Sequence, residues 1–178
     1  MKTCLIALFL LLAVGCKRAD AGKSFQETKI EAEKGDAEAQ SNLGKMYHDG
    51  KDVAKDDVEA VKWFRKAADQ GYAAGQNGLG FMYVTGDGVP KDEAEAVKWY
   101  RKAADQGNAS AQFNLGLMYD NGQGVPKDKA EAYKWWLLAG AQGDEDAKKN
   151  ISFIEGNITP AQRTEGQRRA REWKPRKP

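Results

Sequence analysis

The chain has few of the residues from which reactive and metal-binding sites are usually built. Of its 178 residues, two are cysteine and one is histidine. Both cysteines, Cys4 and Cys16, precede residue 17, so the rest of the chain can form no internal disulfide. It also has no cysteine–histidine set for a thiol nucleophile or a typical zinc site. We expect no catalytic residue, no metal and no cofactor, with His48 as a surface residue.

Long hydrophobic runs are also missing. The apolar run at residues 5–14 is too short to span a bilayer as a helix. Because it follows Met1-Lys2, residues 1–15 have the anatomy of a secretory signal peptide. Ala13-Val14-Gly15-Cys16 resembles a bacterial lipobox, which implies cleavage before Cys16 and lipidation of that cysteine. The residue after Cys16 is not aspartate, and this resemblance therefore implies an outer-membrane lipoprotein that faces the periplasm.

A second cleavage site competes with the first. Ala19-Asp20-Ala21 fits the small-x-small rule, and cleavage there would remove residues 1–21 and release a soluble periplasmic or secreted protein. The two basic residues Lys17 and Arg18 are unfavourable in such a cleavage region, and this favours lipidation at Cys16. A diacyl anchor with an added chain would hold the protein stably at a membrane, whereas a single chain would not. Both alternatives predict export.

The chain is rich in internal repetition. Gly35, Gly71, Gly107 and Gly143 stand thirty-six residues apart, and each begins a similar block. The blocks in residues 35–142 carry A-x-x-x-L-G-x-M-Y, then G-x-G-V-P-x-D, then E-A-x-K-W-[FYW], with small departures. Self-similarity at a fixed period of this size is typical of stacked repeat proteins. Each block predicts two helices around a glycine-bearing loop.

The first helix of block one is predicted at residues 36–48, with Asp36 as its cap. Gly44, Gly80 and Gly116 fall in the middle of the first helices, where glycine costs about 1 kcal/mol relative to alanine. We infer that a neighbouring helix approaches too closely for a side chain. In the loop, a glycine directly after the first helix is expected to supply its left-handed C-cap.

The second helices are predicted to begin at capping boxes. Their caps and the partners three residues on are Asp56 with Glu59, Asp92 with Glu95, and Asp128 with Glu131. Block one has Asp52 and Ala54 where the other loops have glycine and proline, so its loop is expected to differ.

Both ends of the chain predict caps of a solenoid, whose terminal repeats must be atypical for solubility. Residues 16–34 read as a linker and an N-terminal capping helix, with Ala32 in the place of Ala68. Residues 143–178 read as C-terminal capping helices and a basic tail. The side chains expected to seal the last core face are Ile151, Phe153, Ile154 and Trp173. The predicted fold is an all-α solenoid, an α/α superhelix of about three helix–loop–helix repeats.

These motifs resemble the Sel-1-like repeat family, relatives of the tetratricopeptide repeat. The resemblance is dense over residues 35–142 and loose at the flanks. It implies a superhelix that serves as an adaptor or scaffold in protein complexes, with the first helices on the concave side. A cysteine-rich branch of the family pins each helix pair with a disulfide. This chain lacks those cysteines, so the penicillin-binding or β-lactamase role associated with that branch transfers poorly.

One stripe on the first helices changes from block to block. Its positions are spaced i, i+4 and i+7 and therefore share a face. They are Ser41, Lys45, His48, Asn77, Phe81, Val84, Phe113, Leu117 and Asp120. The middle of the stripe is apolar and its ends are polar, which is typical of a partner groove. Alternatively, some of these side chains pack against the adjacent repeat.

The sequence thus predicts a non-enzymatic scaffold of the bacterial cell envelope, monomeric and bound to the membrane through Cys16. It would hold a protein or peptide partner on its concave face. The alternative is a cell-wall-directed hydrolase or a β-lactamase-like enzyme. Residues 159–178 carry seven basic and two acidic side chains. Such a tail can bind acidic partners, but a solvated end helix explains it as well, and we expect no nucleic acid.

Overall fold

The computed structural model describes residues 23–176. The predicted signal peptide, Cys16 and both cleavage sites lie outside the described residues. Within residues 23–176 the chain forms nine helices and no strand, which confirms the all-α prediction. They are α1 (Phe25–Glu33), α2 (Ala37–Asp49), α3 (Asp57–Asp69), α4 (Ala73–Thr85), α5 (Glu93–Asp105), α6 (Ala109–Asn121), α7 (Lys129–Ala141), α8 (Glu145–Glu155) and α9 (Pro160–Glu172).

Helices α2 to α7 form three pairs, one in each predicted block. We call these blocks repeat one (residues 35–70), repeat two (71–106) and repeat three (107–142). Within a repeat the first helix packs on the second, and the second packs on the first helix of the next repeat. Consequently, the hydrophobic core is a row of clusters, each built by neighbouring repeats.

The mid-helix glycines mark the tightest contact inside each repeat. A Cβ on Gly44 would lie 2.9 Å from the Phe64 ring, and one on Gly80 would lie 2.7 Å from the Tyr100 ring. In repeat three a Cβ on Gly116 would overlap the indole of Trp136. The predicted close approach is confirmed, and the approaching group is an aromatic ring from the second helix of the same repeat.

The loop between the two helices has the same backbone in all three repeats. Gly50 ends α2 in the left-handed conformation, as the sequence predicts. Two residues on, the backbone is left-handed again, with φ of 61° at Asp52, 68° at Gly88 and 65° at Gly124. The prediction that the first loop differs is therefore wrong. Aspartate can take this place because its short polar side chain tolerates the left-handed region.

The N-caps of the second helices form one of the two hydrogen bonds that a capping box predicts. Oδ1 of Asp56, Asp92 and Asp128 accepts a hydrogen bond from the backbone N–H three residues on, at 2.9–3.0 Å. The prediction of the second bond, from the cap N–H to the glutamate side chain, is wrong. The cap N–H groups instead donate to tyrosine carbonyls of the preceding helix, those of Tyr47, Tyr83 and Tyr119. These backbone bonds tie the end of the loop to the first helix.

A buried glutamine joins each repeat to the one before it. In repeat three, Nε2 of Gln112 donates to the Ala104 carbonyl at 3.2 Å. Its Oε1 accepts from Nε2 of Gln142 at 2.8 Å. Gln40 and Gln76 make the same pair of bonds in their repeats. Because a buried amide must be hydrogen-bonded, these residues fix the spacing of successive repeats.

The C-terminal cap departs from the prediction. Ile154 is buried and Ile151 is partly buried against the last core cluster, but Phe153 is 71% exposed and seals nothing. Helix α9 packs on α7 instead of stacking as a further repeat. Ile158 covers the cluster around Tyr133, much as the loop residue Val125 covers the preceding cluster.

Ion pairs neutralise part of the basic tail. Nη1 of Arg169 lies 2.9 Å from Asp128 and 2.8 Å from Glu131, which locks α9 to α7. Hydrogen bonds from Arg168 and Arg169 lower the pKa of Glu165 to about 2. No helix within residues 23–176 is both long enough and apolar enough to cross a membrane.

We expect Gly116→Ala to lower the free energy of unfolding by at least about 1 kcal/mol, because the new methyl group overlaps a buried indole. The matched control is Gly156→Ala, at a position with φ of −77° and no close neighbour but the Phe153 carbonyl. It should raise stability by up to about 1 kcal/mol. Urea unfolding followed by circular dichroism measures both. A Gly116→Ala protein as stable as the wild type would contradict the close-contact account.

Candidate partner-binding surface

The first helices differ sharply in charge along the solenoid. Helix α4 carries no charged residue, and α6 carries only Asp120. Helix α2 at one end and α8 at the other are both charged, with Lys45 and Lys149 among their exposed side chains. The middle of this first-helix face thus carries one charged residue, Asp120, between more highly charged ends, which agrees with the polarity that the stripe shows in the sequence.

In repeat one, the stripe is polar and partly fixed. Ser41 is buried, Lys45 is exposed and His48 is half-buried. Nδ1 of His48 lies 2.7 Å from Oδ1 of Asp57, and Nζ of Lys55 lies 3.3 Å from Oδ2 of the same carboxylate. Burial alone would raise the pKa of Asp57, but the bonds from His48 and Lys55 outweigh it and hold that pKa below its usual range. These contacts orient the imidazole.

Phe81 is the exposed apolar member of the stripe. Its side chain lies on α4 and is 40% exposed. Its ring meets the His48 ring edge to face, with centroids 5.5 Å apart. Hence the Asp57–His48 pair of repeat one supports an exposed ring of repeat two. The two residues come from different repeats, and the 36-residue period does not predict that they touch.

The other apolar members of the stripe are partly built into the core. Val84 packs against the cluster that contains Tyr100 and Leu115. Phe113 and Leu117 pack against the cluster that contains Trp136, and the Phe113 carbonyl accepts a hydrogen bond from the Trp136 indole. These three side chains thus pack in core clusters, which include helices of their own repeat as well as the helix that follows. The freely accessible apolar surface is therefore smaller than the stripe suggests.

Asn77, the polar stripe member of repeat two, is linked to a neighbouring helix. Nδ2 of Asn114 donates to Oδ1 of Asn77 at 3.1 Å. Asp120, at the end of α6, is half-buried. Asn114 is not a stripe residue, but the bond to Asn77 places its amide on the same face. The side-chain amides supply hydrogen-bonding groups beside the exposed Phe81.

One exposed side chain on this face escaped the sequence reasoning. Phe153 follows Leu117 by thirty-six residues, as Leu117 follows Phe81 and Phe81 follows Lys45. We call these four residues the first-helix row. Phe153 is 71% exposed, the most exposed large hydrophobic side chain in residues 23–176. The 36-residue period indicates this place, whereas its apolar character had suggested a role in the C-terminal cap.

Within residues 23–176, no group of three or more His, Cys, Asp or Glu side chains is placed to hold a metal ion. The ring of His48 is engaged by Asp57 and Phe81. The geometry of this face suits binding.

Comparison with known proteins identifies the repeats. The Sel1 repeat family model matches residues 37–72, 73–108 and 109–144. Secretory immunoglobulin A-binding protein EsiB of Escherichia coli O6:H1 is 42% identical to the chain over 69 residues. That match covers 38% of this chain but 14% of EsiB, so the chain spans a small part of that relative's length.

Three solved structures are similar to the chain. A Sel1 repeat protein from Oxalobacter formigenes is 42% identical with a TM-score of 0.63, over 71% of this chain and 96% of that one. A protective antigen of uropathogenic Escherichia coli with an SLR fold is 39% identical with a TM-score of 0.71, over 83% and 34%. Helicobacter pylori cysteine rich protein B, 24% identical with a TM-score of 0.57 over 72% and 97%, is similar in fold.

We expect Leu117→Ala to lower the free energy of unfolding by about 1–3 kcal/mol, because it removes packing from the Trp136 cluster. Phe81→Ala, at the same position of the preceding repeat, should change it by less than about 1 kcal/mol, as is usual for an exposed side chain. Thermal unfolding of the two variants compares them directly. Equal losses would show that Phe81 is a packing residue and not an accessible one.

Proposed function

The chain belongs to the Sel1 repeat family, and from this membership we propose that it is a protein-binding scaffold of the bacterial cell envelope. It acts as a monomer without enzymatic activity or a nucleic-acid partner, and holds a protein or peptide on its first-helix face. Proteins of this family are in general scaffolds for protein–protein interaction. EsiB is named for binding secretory immunoglobulin A. The proposal for this chain extends only to the binding of a protein.

The observation that carries this proposal is the exposure of two phenylalanines in the first-helix row. Phe81 and Phe153 are 40% and 71% exposed, while the other phenylalanines of residues 23–176 are buried or half-buried. Large aromatic side chains at accessible positions are enriched among the residues that dominate protein interfaces. Both rings belong to one row on one face, so one partner can contact both.

The surroundings of these rings favour a partner with apolar side chains. Helix α4 has no charged side chain, so an apolar group that approaches Phe81 desolvates no ion of that helix. The Asn77–Asn114 pair lies on the same face and offers amide groups to a peptide backbone. No comparable observation favours the hydrolase alternative.

We expect a photoreactive benzoylphenylalanine in place of Phe81 or Phe153 to form the same covalent adduct in cells. The control is the same residue in place of Val58, which is 53% exposed on the second helix of repeat one. Mass spectrometry of the adducts identifies the partner. The Phe81→Ala, Phe153→Ala double variant should then recover at least about tenfold less of it.

Two outcomes would count against the first-helix face. One is an identical adduct at Val58, and the other is unchanged recovery of the partner by the double variant.

The location in the envelope is the second part of the proposal. Residues 5–16 support export and a lipid anchor at Cys16 in the outer membrane, with the repeats in the periplasm. The alternative is cleavage after Ala21 and a soluble periplasmic or secreted protein. In both cases the binding face meets partners outside the cytoplasm.

We expect mass spectrometry of the mature protein to find an acylated Cys16 as its first residue. Cys16→Ser should move the protein from the membrane fraction to the soluble fraction, because the acyl chains supply the membrane affinity. Lys17→Ala is the matched control and should leave the protein in the membrane fraction. A free amino terminus at Gly22 would contradict lipidation.

A further inference from the structure

The joints between repeats carry equivalent clefts on the edge of the solenoid where the second helices end. Each cleft is walled by the end of one second helix, the glycine after it and the tryptophan of the next second helix. At the joint of repeats two and three these residues include Ala104, Gly107 and Trp135. At the joint of repeats one and two they are Ala68, Gly71 and Trp99.

The chain fills the cleft at the joint of repeats two and three with its own Trp173. This indole packs against the cluster that contains Ala104 and Trp135, with its ring centroid 6.4 Å from that of Trp135 in an edge-to-face arrangement. Its tip would lie 3.8 Å from a Cβ on Gly107. The cleft therefore has the shape and lining to accept an indole.

A charged contact follows three residues after this indole. The backbone N–H of Arg176 donates to the Asp105 carbonyl at 2.7 Å. Its guanidinium lies 3.7 Å from the Asp105 carboxylate. The segment from Trp173 to Arg176 is thus held by an aromatic contact at Gly107 and a basic contact at Asp105.

The cleft at the joint of repeats one and two is open, with a volume of about 420 Å³. We call it the open cleft. Its lining includes Gly71 and Asp69, which precede Gly107 and Asp105 by thirty-six residues. The side chain of Arg176, paired with Asp105, borders the same cleft without occupying the place of an indole. Both contact points of the occupied cleft are therefore repeated, and among residues 23–176 no aromatic side chain is seated there in the way that Trp173 is seated.

We propose that the open cleft binds a tryptophan side chain of a partner peptide that carries a basic residue three positions later. The indole would lie against Gly71 and Trp99, and the basic group would reach Asp69. The chain's own segment shows that this combination fits the walls of such a cleft. This site lies at the ends of the second helices and does not depend on the first-helix face.

One wall residue differs between the clefts and affects the affinity. In the open cleft, the Lys102 ammonium lies 3.9 Å from the centroid of the Trp99 ring. The matching residue in the occupied cleft is Leu138, which packs against the same cluster as Trp173. An incoming indole must move the lysine aside before it reaches Trp99, so Lys102→Leu should convert the open cleft into a tighter site.

The test is a titration of the ¹⁵N-labelled protein with the peptide acetyl-Trp-Lys-Pro-Arg-amide, followed by NMR. The chain has five tryptophans, so the indole N–H signals are few and assignable. We expect the Trp99 indole and the Gly71 amide to shift while the Trp63 indole does not. The same peptide with alanine in place of tryptophan should shift neither signal.

Variants then separate the walls of the cleft. Lys102→Leu should tighten binding of the peptide about tenfold through an aromatic–aliphatic contact. Lys98→Leu, on the exposed face of the same helix, is the matched control and should leave affinity unchanged. Asp69→Ala should weaken binding about two- to fivefold, the size expected for an exposed ion pair.

Several results would overturn the assignment. They are an absence of shifts at Trp99 in both the wild type and Lys102→Leu, shifts confined to Trp135 and Gly107, and equal tightening by Lys98→Leu. Shifts confined to the occupied cleft would mean that the peptide only displaces Trp173. Self-association of the protein that Trp173→Ala abolishes would assign the open cleft to a second copy of this chain.

Discussion

The contact of an aromatic ring with a helix that has no side chain at that point sets the geometry of every repeat. Phe64, Tyr100 and Trp136 occupy the same place, and each lies where a Cβ on the facing glycine would be. The aromatic residue is phenylalanine, tyrosine and tryptophan in successive repeats, while the facing residue is always glycine. The two helices can pack this closely only because glycine has no side chain, although glycine lowers the helix propensity at this position. The resulting contact fixes where the rest of each repeat must lie.

Stacking of the repeats rests on a second, polar constraint. The amides of Gln40, Gln76 and Gln112 are buried and bonded on both sides, to the preceding repeat and to the end of their own. A buried amide with one bond lost costs about 1–3 kcal/mol, so these residues also specify the register between repeats. Helix α9 ends the stack by covering α7, with Arg169 paired to Asp128 and Glu131.

The same packing decides which side chains are left for a partner. Leu117 and Phe113 belong to the core cluster of the last joint, whereas Phe81 and Phe153 remain exposed on the first-helix face. On the edge where the second helices end, Trp173 fills one cleft and leaves the equivalent one open. Regular repetition therefore produces irregular surfaces, because each repeat has different neighbours to satisfy.

The sequence by itself determined the helix pairs, the place of the glycine contacts and the Sel1 repeat family, because these depend on local pattern and on the 36-residue period. It also led to two errors of the same kind. Local residues predict capping boxes, but the cap N–H groups donate to tyrosine carbonyls of the preceding helix instead. Local residues also predict a divergent first loop, but Asp52 adopts the left-handed conformation that glycine has in the other two loops. Only the tertiary structure decided that Phe153 is exposed, that Phe81 meets His48 and that α9 turns back onto α7. These outcomes depend on which side chains compete for the same space, and a period in the sequence carries no record of that competition.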